Sequence, residues 1–399
     1  MVKAPVVLAA PHRLLFLVGS VQFALVVTWW GAMLLDLVGM GPGLEQPIPA
    51  SLLHAPILLF LVLPAFFLGF LLTVFPRWTG FPDSAPAIYV PVGVAFLLAA
   101  IMLWTGLLAA VPPVIVIAFG AAATGWIWAL GWMFGWLVRE LRAGRSPTWH
   151  GWSIFTAFCA GFGCLIGVIA GLRSLDGMLI HMSNLAGLAL FILPVFVTVC
   201  HRMVPFFAGN VVKGYLPWRP FWVLAAFWIA SLAGTGAYYT SDPGMAAASN
   251  AALAGLTGLM LWKWWPGTRA PGLLWVLILG FAWAPIGFAW IAWSGLFAPE
   301  SARGGIHLLT IGFAGSLVIA MVTRVSQGHS GRPLTMPALA WIAFALVQVA
   351  TVLRLAAALS SEALPLLILS AFCLAAGLLP WAVRAMAIYV QPRVDGKAG

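Results

Sequence analysis

Polar residues interrupt the apolar ones at short intervals and divide the chain into twelve apolar runs. They cover roughly 14–35, 52–75, 88–110, 113–138, 152–171, 178–200, 219–238, 245–262, 273–296, 304–323, 337–357 and 365–388, with proline, glycine and charge marking the breaks. Each run is about 20 residues long, the length a helix needs to cross a hydrocarbon layer roughly 30 Å thick. The only lengthy connections, about 36–50, 139–151 and 201–218, are too short for a folded domain outside the membrane. The pattern predicts an all-α polytopic membrane protein, a single twelve-helix transmembrane domain over 1–399.

Composition agrees with this reading. With 63% hydrophobic and 7% charged residues and a mean hydropathy of +1.06, the chain cannot present a water-soluble surface. The 22 tryptophans suit a chain with two membrane-water boundaries, where indole rings settle. A net charge of +10 raises the question of nucleic acid, but the charges are scattered singly through short loops and form no basic stripe, so a nucleic-acid partner is excluded. Lys3, His12 and Arg13 lead directly into a full-length span with no small-residue cleavage site, so the first segment is expected to be retained.

Charge also tests the count of spans. When the connections alternate sides, one side receives Lys3, Arg13, Arg77, Arg139, Arg142, Arg145, Arg202, Lys213, Arg219, Lys263, Arg269, Arg324, Arg332, Arg384, Arg393 and Lys397. Of the 19 basic residues this leaves only Arg173, Arg303 and Arg354 for the other. A missed span would invert every later loop and blur the split. The positive-inside rule therefore places both termini in the cytoplasm of a bacterial inner membrane.

Sorted by this topology, the seven histidines form two groups. His12, His150, His201 and His329 fall on the cytoplasmic side. His54, His181 and His307 fall one turn inside the second, sixth and tenth segments, each entered from outside, and so share one depth beneath the outer boundary. They are 127 and 126 positions apart, which suggests three four-helix units in a row. "TVFPR" ending at Arg77 and "TVCHR" ending at Arg202 add a faint internal repeat. A polar side chain inside a span is costly unless it has a partner, and imidazole is the common axial ligand of haem iron and a ligand of copper. The plainer reading of any one of them is a histidine bonded to a neighbouring carbonyl at the interface.

The other residue types narrow the chemistry. Cys159, Cys164, Cys200 and Cys373 include no Cys-x-x-Cys, so covalent haem attachment is excluded and they read as small buried apolar residues. There is no phosphate-binding loop, dinucleotide fingerprint or His-Glu-x-x-His helix. Arg173 and Arg303 precede His181 and His307 by eight and four positions, and a guanidinium there can grip a haem propionate. Alternatively they pair with Asp176 and Glu300. Met178 and Met182 flank His181 and read as packing or as soft copper ligands. Arg77, Arg202 and Arg324 are expected to cap the second, sixth and tenth helices. His329, in "QGHSGRP", reads as a loop brace after a helix end, with a second metal site as the alternative.

Three stretches carry a family resemblance: "FLLTVFPRWTG", "RMVPFFAGN" and "GGIHLLTIGFAGSLVIAMVTRVSQGHSGRPL". They resemble the signature segments of the NnrS family, membrane proteins associated with haem, copper and nitrosative stress, and the likeness runs through all twelve spans. It implies a twelve-helix haem-copper protein similar to the catalytic subunit of haem-copper oxidases and nitric oxide reductases, with nitric oxide as ligand. It also implies non-covalent haem of b type and, optionally, copper. His54, His181 and His307 are the metal ligands so implied, with His54 and His307 favoured as the axial pair and Arg303 and Arg173 as propionate partners. One departure stands out. Where the family reads Trp-His-Ala-His-Glu at the second helix, this chain reads "LLHAP" followed by Ile57, so Pro56 replaces a second histidine and Ile57 a carboxylate.

Three functional classes fit these residues: a haem protein that binds or turns over nitric oxide at an outward-facing site, a secondary transporter, and an accessory subunit of a respiratory complex. Pro64, Pro194 and Gly312 within spans allow a transporter, although the spans carry almost no polar side chain at mid-depth. The sequence names neither an electron donor nor a catalytic residue. Reporter fusions in the loops near residues 45, 175 and 300 should all register an external position; a cytoplasmic signal at any one would break the topology.

Overall fold

The computed structural model describes residues 5–267 and 270–396. Lys3, Arg269 and Lys397, counted above for topology, lie outside them. Twelve helices among the described residues are long and apolar enough to cross a membrane. They are α1 (Pro11–Asp36), α2 (Ala50–Trp78), α3 (Pro86–Leu108), α4 (Pro112–Arg142), α5 (Trp149–Ser174), α6 (Gly177–Val211), α7 (Phe221–Tyr239), α8 (Pro243–Trp264), α9 (Gly272–Phe297), α10 (Pro299–His329), α11 (Ala338–Leu359) and α12 (Ala363–Val390). No strand occurs among the described residues. The twelve runs of the sequence are therefore twelve helices.

The ends follow local chemistry. Proline opens α1, α3, α4 and α8, where its missing N–H costs no helical bond. Asp176 and Asp242 accept from the N–H groups of Leu179 (3.0 Å) and Met245 (2.9 Å) to cap α6 and α8. The expected 201–218 loop is largely helix, because α6 continues to Val211. For the same reason Arg202 lies inside α6, and Arg324 lies inside α10, which runs to His329. The capping role read for these arginines is corrected accordingly. Arg324 lies over the Phe207 ring at 3.6 Å, and Arg77 reaches past the end of α2 to both oxygens of Asp83, at 2.6 and 2.8 Å. The Arg77 guanidinium holds the Asp83 carboxyl below its usual range. Of the four cysteines only Cys200 is buried, whereas Cys159 is exposed, on a helix whose outer face an apolar thiol suits as well as a core does.

The second, sixth and tenth helices stand apart in two ways. They are the most enclosed: 83%, 78% and 67% of the most apolar window is buried in α2, α6 and α10, against 28–56% in the other nine. They are also the helices that carry π-helical turns, at Ile57–Val62, Leu188–Ile192 and Leu308–Gly315. Proline explains two of these. Pro64 and Pro194 follow their π turns by two residues, and neither can donate to the carbonyl four positions back, so the preceding turn is free to widen. In α10 the π turn carries Gly312 and Gly315 instead.

The chain forms two compact units, one of Met1–Ile192, Val325–Arg332 and Ala382–Gly399, the other of Leu193–Arg324 and Pro333–Trp381. In the first, α2 packs on α1 and on the opening half of α6. A side chain on Gly187 of α6 would meet the Phe60 ring of α2 at 2.6 Å, so only glycine admits this approach. In the second unit α10 lies between α9 and α11. A Cβ on Gly312 would meet Trp283 at 2.7 Å and Thr351 at 2.9 Å, and one on Gly304 would meet Leu355 at 3.0 Å. A polar thread ties the three helices: Trp283 Nε1 donates to Gln348 Oε1 (2.6 Å), and Gln348 Nε2 donates to Ser316 Oγ (2.8 Å).

Gly312→Val should force α10 away from α9 and α11 and cost about 1–3 kcal/mol, the usual range for overpacking. Thermal unfolding of the detergent-solubilised protein should show this as a lowered midpoint.

Candidate functional site

His54 and His181 are each the fifth residue of their helices, about one turn in as the sequence implies, whereas His307 is the ninth of α10, more than two turns in. His54 and His181 belong to the first unit and His307 to the second. His54 is half-buried and stacks on Trp30 of α1, with centroids 4.0 Å apart and planes 22° from parallel. His181 is exposed. Each is followed by the π turn of its helix: Ile57 comes three residues after His54, Leu188 seven after His181 and Leu308 directly after His307. Turns of this kind concentrate at functional sites.

His307 has the most fully defined surroundings. Its Nδ1 lies 2.7 Å from the carbonyl oxygen of Arg303, one turn back, and its Nε2 lies 2.6 Å from Nη2 of Arg354 on α11. A guanidinium can only donate, so Nε2 is the acceptor and carries no proton, while Nδ1 holds the proton given to Arg303. The imidazole is neutral with its lone pair on Nε2. The close approach of α10 to α11 at Gly304 and Gly312 brings Arg354 within reach. Among the described residues neither Arg354 nor Arg303 makes an ion pair. Arg173 makes none either, and Asp176 is engaged as a helix cap, so the pairing of Arg173 and Arg303 with Asp176 and Glu300 is not what the structure shows.

The fit of these residues to a haem can be judged from their donors. A neutral imidazole oriented by a carbonyl on its far nitrogen is the usual form of an axial ligand, and two guanidiniums lacking carboxylates are suited to propionates. The same unit has an open apolar groove of about 560 Å³ lined by Pro285, Ile286, Ala289, Trp290 and Trp293. Trp290 packs against Gly304 and Gly305 at the start of α10. The donor set fits haem. Among the described residues no group of three or more His, Cys, Asp and Glu side chains is gathered to hold a metal ion.

With the helices and this site in view, the comparisons place the chain. The family model described as NnrS protein matches residues 6–393. The chain belongs to the NnrS family. No curated protein matches the sequence. NnrS membership covers both units and includes the three histidine helices in full.

Arg354 is the site residue that sequence reasoning used only for topology. An available signal was its position: it is the only ionisable group within the eleventh segment, and such groups are costly in a membrane unless they serve a purpose.

The bond between His307 and Arg354 predicts strong coupling. His307→Ala should leave a half-buried guanidinium without its acceptor and cost on the order of 1–3 kcal/mol. His307→Ala/Arg354→Leu should recover much of that loss. A double-mutant cycle of thermal unfolding tests this, and additive effects would refute the coupling.

Proposed function

We propose that this NnrS protein is a haem-binding inner-membrane protein that binds or detoxifies nitric oxide. The observation that carries the reading is the state of His307: a neutral imidazole held by the Arg303 carbonyl, with its lone pair on Nε2 and the guanidinium of Arg354 against it. Bound non-covalently, as the lack of a Cys-x-x-Cys requires, haem supplies an iron that takes nitric oxide as a ligand. His307 would give Nε2 to that iron once Arg354 turns to a propionate. Arg303 would hold the second carboxylate while its backbone carbonyl keeps the imidazole in place. His54, His181 and Arg173 are carried into the proposal by the resemblance and by their depth.

Binding and detoxification are favoured over reduction by the acid–base inventory of the enclosed helices. Turning nitric oxide into nitrous oxide consumes protons as well as electrons. No carboxylate lies in α2 or α6, and α10 has only Glu300 in its first turn. Pro56 and Ile57 stand where the family places a histidine and a carboxylate. The buried Glu140, on α4, already accepts from the amide (2.9 Å) and hydroxyl (2.5 Å) of Thr148. Both termini are assigned to the cytoplasm, with the histidines towards the periplasm.

Protein expressed with ample haem supply should show a Soret band that shifts on adding nitric oxide, and its haem should extract into acid acetone. His307→Ala should lose the haem or change its coordination. A wild-type protein without a Soret band, or a spectrum unchanged in His307→Ala and likewise in His54→Ala, would overturn the reading.

A further inference from the structure

Where α1 begins and α12 ends, the first unit gathers arginine. His12 Nδ1 donates to Oγ1 of Thr73 on α2 (3.4 Å), whose own proton goes to the Gly69 carbonyl (2.8 Å), and this ties the start of α1 in place. Arg13 follows and is 2% exposed. Its Nη1 donates to the carbonyls of Tyr389 (3.3 Å) and Gln391 (2.8 Å), while its Nε is buried with no acceptor. Arg332, in the turn after α10, donates from Nη2 to the side-chain Oε1 of the same Gln391 (3.2 Å), and its Nη1 is likewise buried without an acceptor. Arg384, in the last two turns of α12, makes no hydrogen bond among the described residues and lies close enough to Arg332 for the two charges to repel.

No ion pair among the described residues neutralises these three charges. The carboxylates of Asp83 and Asp395 are each gripped on both oxygens, by Arg77 and Arg393. A guanidinium cannot shed its proton, so the shielded N–H groups of Arg13 and Arg332 stay charged and unpaired, which is costly. Phosphate is the group that the guanidinium fork matches, since two of its oxygens accept from two nitrogens at once.

The face of α12 beside these arginines is apolar and uncovered. Val383, Ala387 and Val390, three or four positions apart, are exposed and line one side of the helix. The stripe ends at Gln391, the exposed residue on which Arg13 and Arg332 converge. Arg384, next to Val383 and one turn before Ala387, stands at its edge. An acyl chain laid along the stripe brings its headgroup to Arg384 and Arg332, at the level where α12 leaves the membrane. Three positive charges without a carboxylate select a headgroup of net negative charge over one whose phosphate is already balanced by an ammonium.

We propose that Arg332 and Arg384, backed by the buried charge of Arg13, bind the phosphate of an anionic phospholipid whose acyl chain lies along Val383, Ala387 and Val390. The site lies within the first unit and is independent of the haem reading. The full chain in neutral detergent is unfolded by heat with added phosphatidylglycerol, phosphatidylcholine or inorganic phosphate. Phosphatidylglycerol should raise the midpoint in a saturable way, and the other two should not. Arg384→Gln, which breaks no internal hydrogen bond, and Arg332→Gln should each weaken the apparent affinity for phosphatidylglycerol on the order of tenfold. Arg142→Gln, which removes an exposed arginine from the end of α4 on the same side of the membrane, should leave it unchanged. Equal stabilisation by phosphatidylcholine, wild-type affinity in both Arg384→Gln and Arg332→Gln, or equal weakening in Arg142→Gln overturns the site. An equal rise with inorganic phosphate overturns lipid as the source of the phosphate.

Discussion

A backbone that crosses hydrocarbon must satisfy every N–H and C=O within its own segment, because no water is there to replace a missing partner. Helices meet this demand until a proline removes a donor, and this chain places Pro64 and Pro194 inside two of its spans. Both helices survive by widening a turn to the π form just before the proline. Such a defect is tolerable where protein covers it, and the helices that carry π turns are also the three most enclosed. The deformation and the burial depend on each other.

The same three helices carry His54, His181 and His307, so these side chains stand on the elements most enclosed by protein. On α10 the consequences can be followed atom by atom. Glycines at 304 and 312 let α11 come close, the approach sets Arg354 against His307, and the guanidinium fixes which imidazole nitrogen is bare. An arginine with no carboxylate partner among the described residues, in a setting this apolar, is an electrostatic debt that a carboxylate-bearing ligand would settle.

At the other end of α10 both signs of charge are present. There the two aspartates are each taken up by an arginine, and Arg13, Arg332 and Arg384 remain without a carboxylate among the described residues.

The sequence by itself determined the twelve helices, the absence of a covalent haem motif and the placement of His54, His181 and His307 on the second, sixth and tenth of them. Length, hydropathy and spacing carry these properties, and a lipid environment leaves the chain no other regular structure. It could not show which helices are enclosed. Lipid is as apolar as a protein core, so a leucine facing either looks the same in sequence. The extension of α6 to Val211, the partners of Arg77 and Arg324, and the bonds that join His307 to Arg354 and His12 to Thr73 were settled only in the tertiary structure. Each depends on side chains 6 to 117 residues apart, or on where a helix finds carbonyls to continue, and local pattern holds no record of such meetings. The π turns fall between these limits. Pro64, Pro194 and Gly312 were visible as irregularities in the chain, but whether a helix breaks, kinks or widens there depends on what packs around the freed carbonyl.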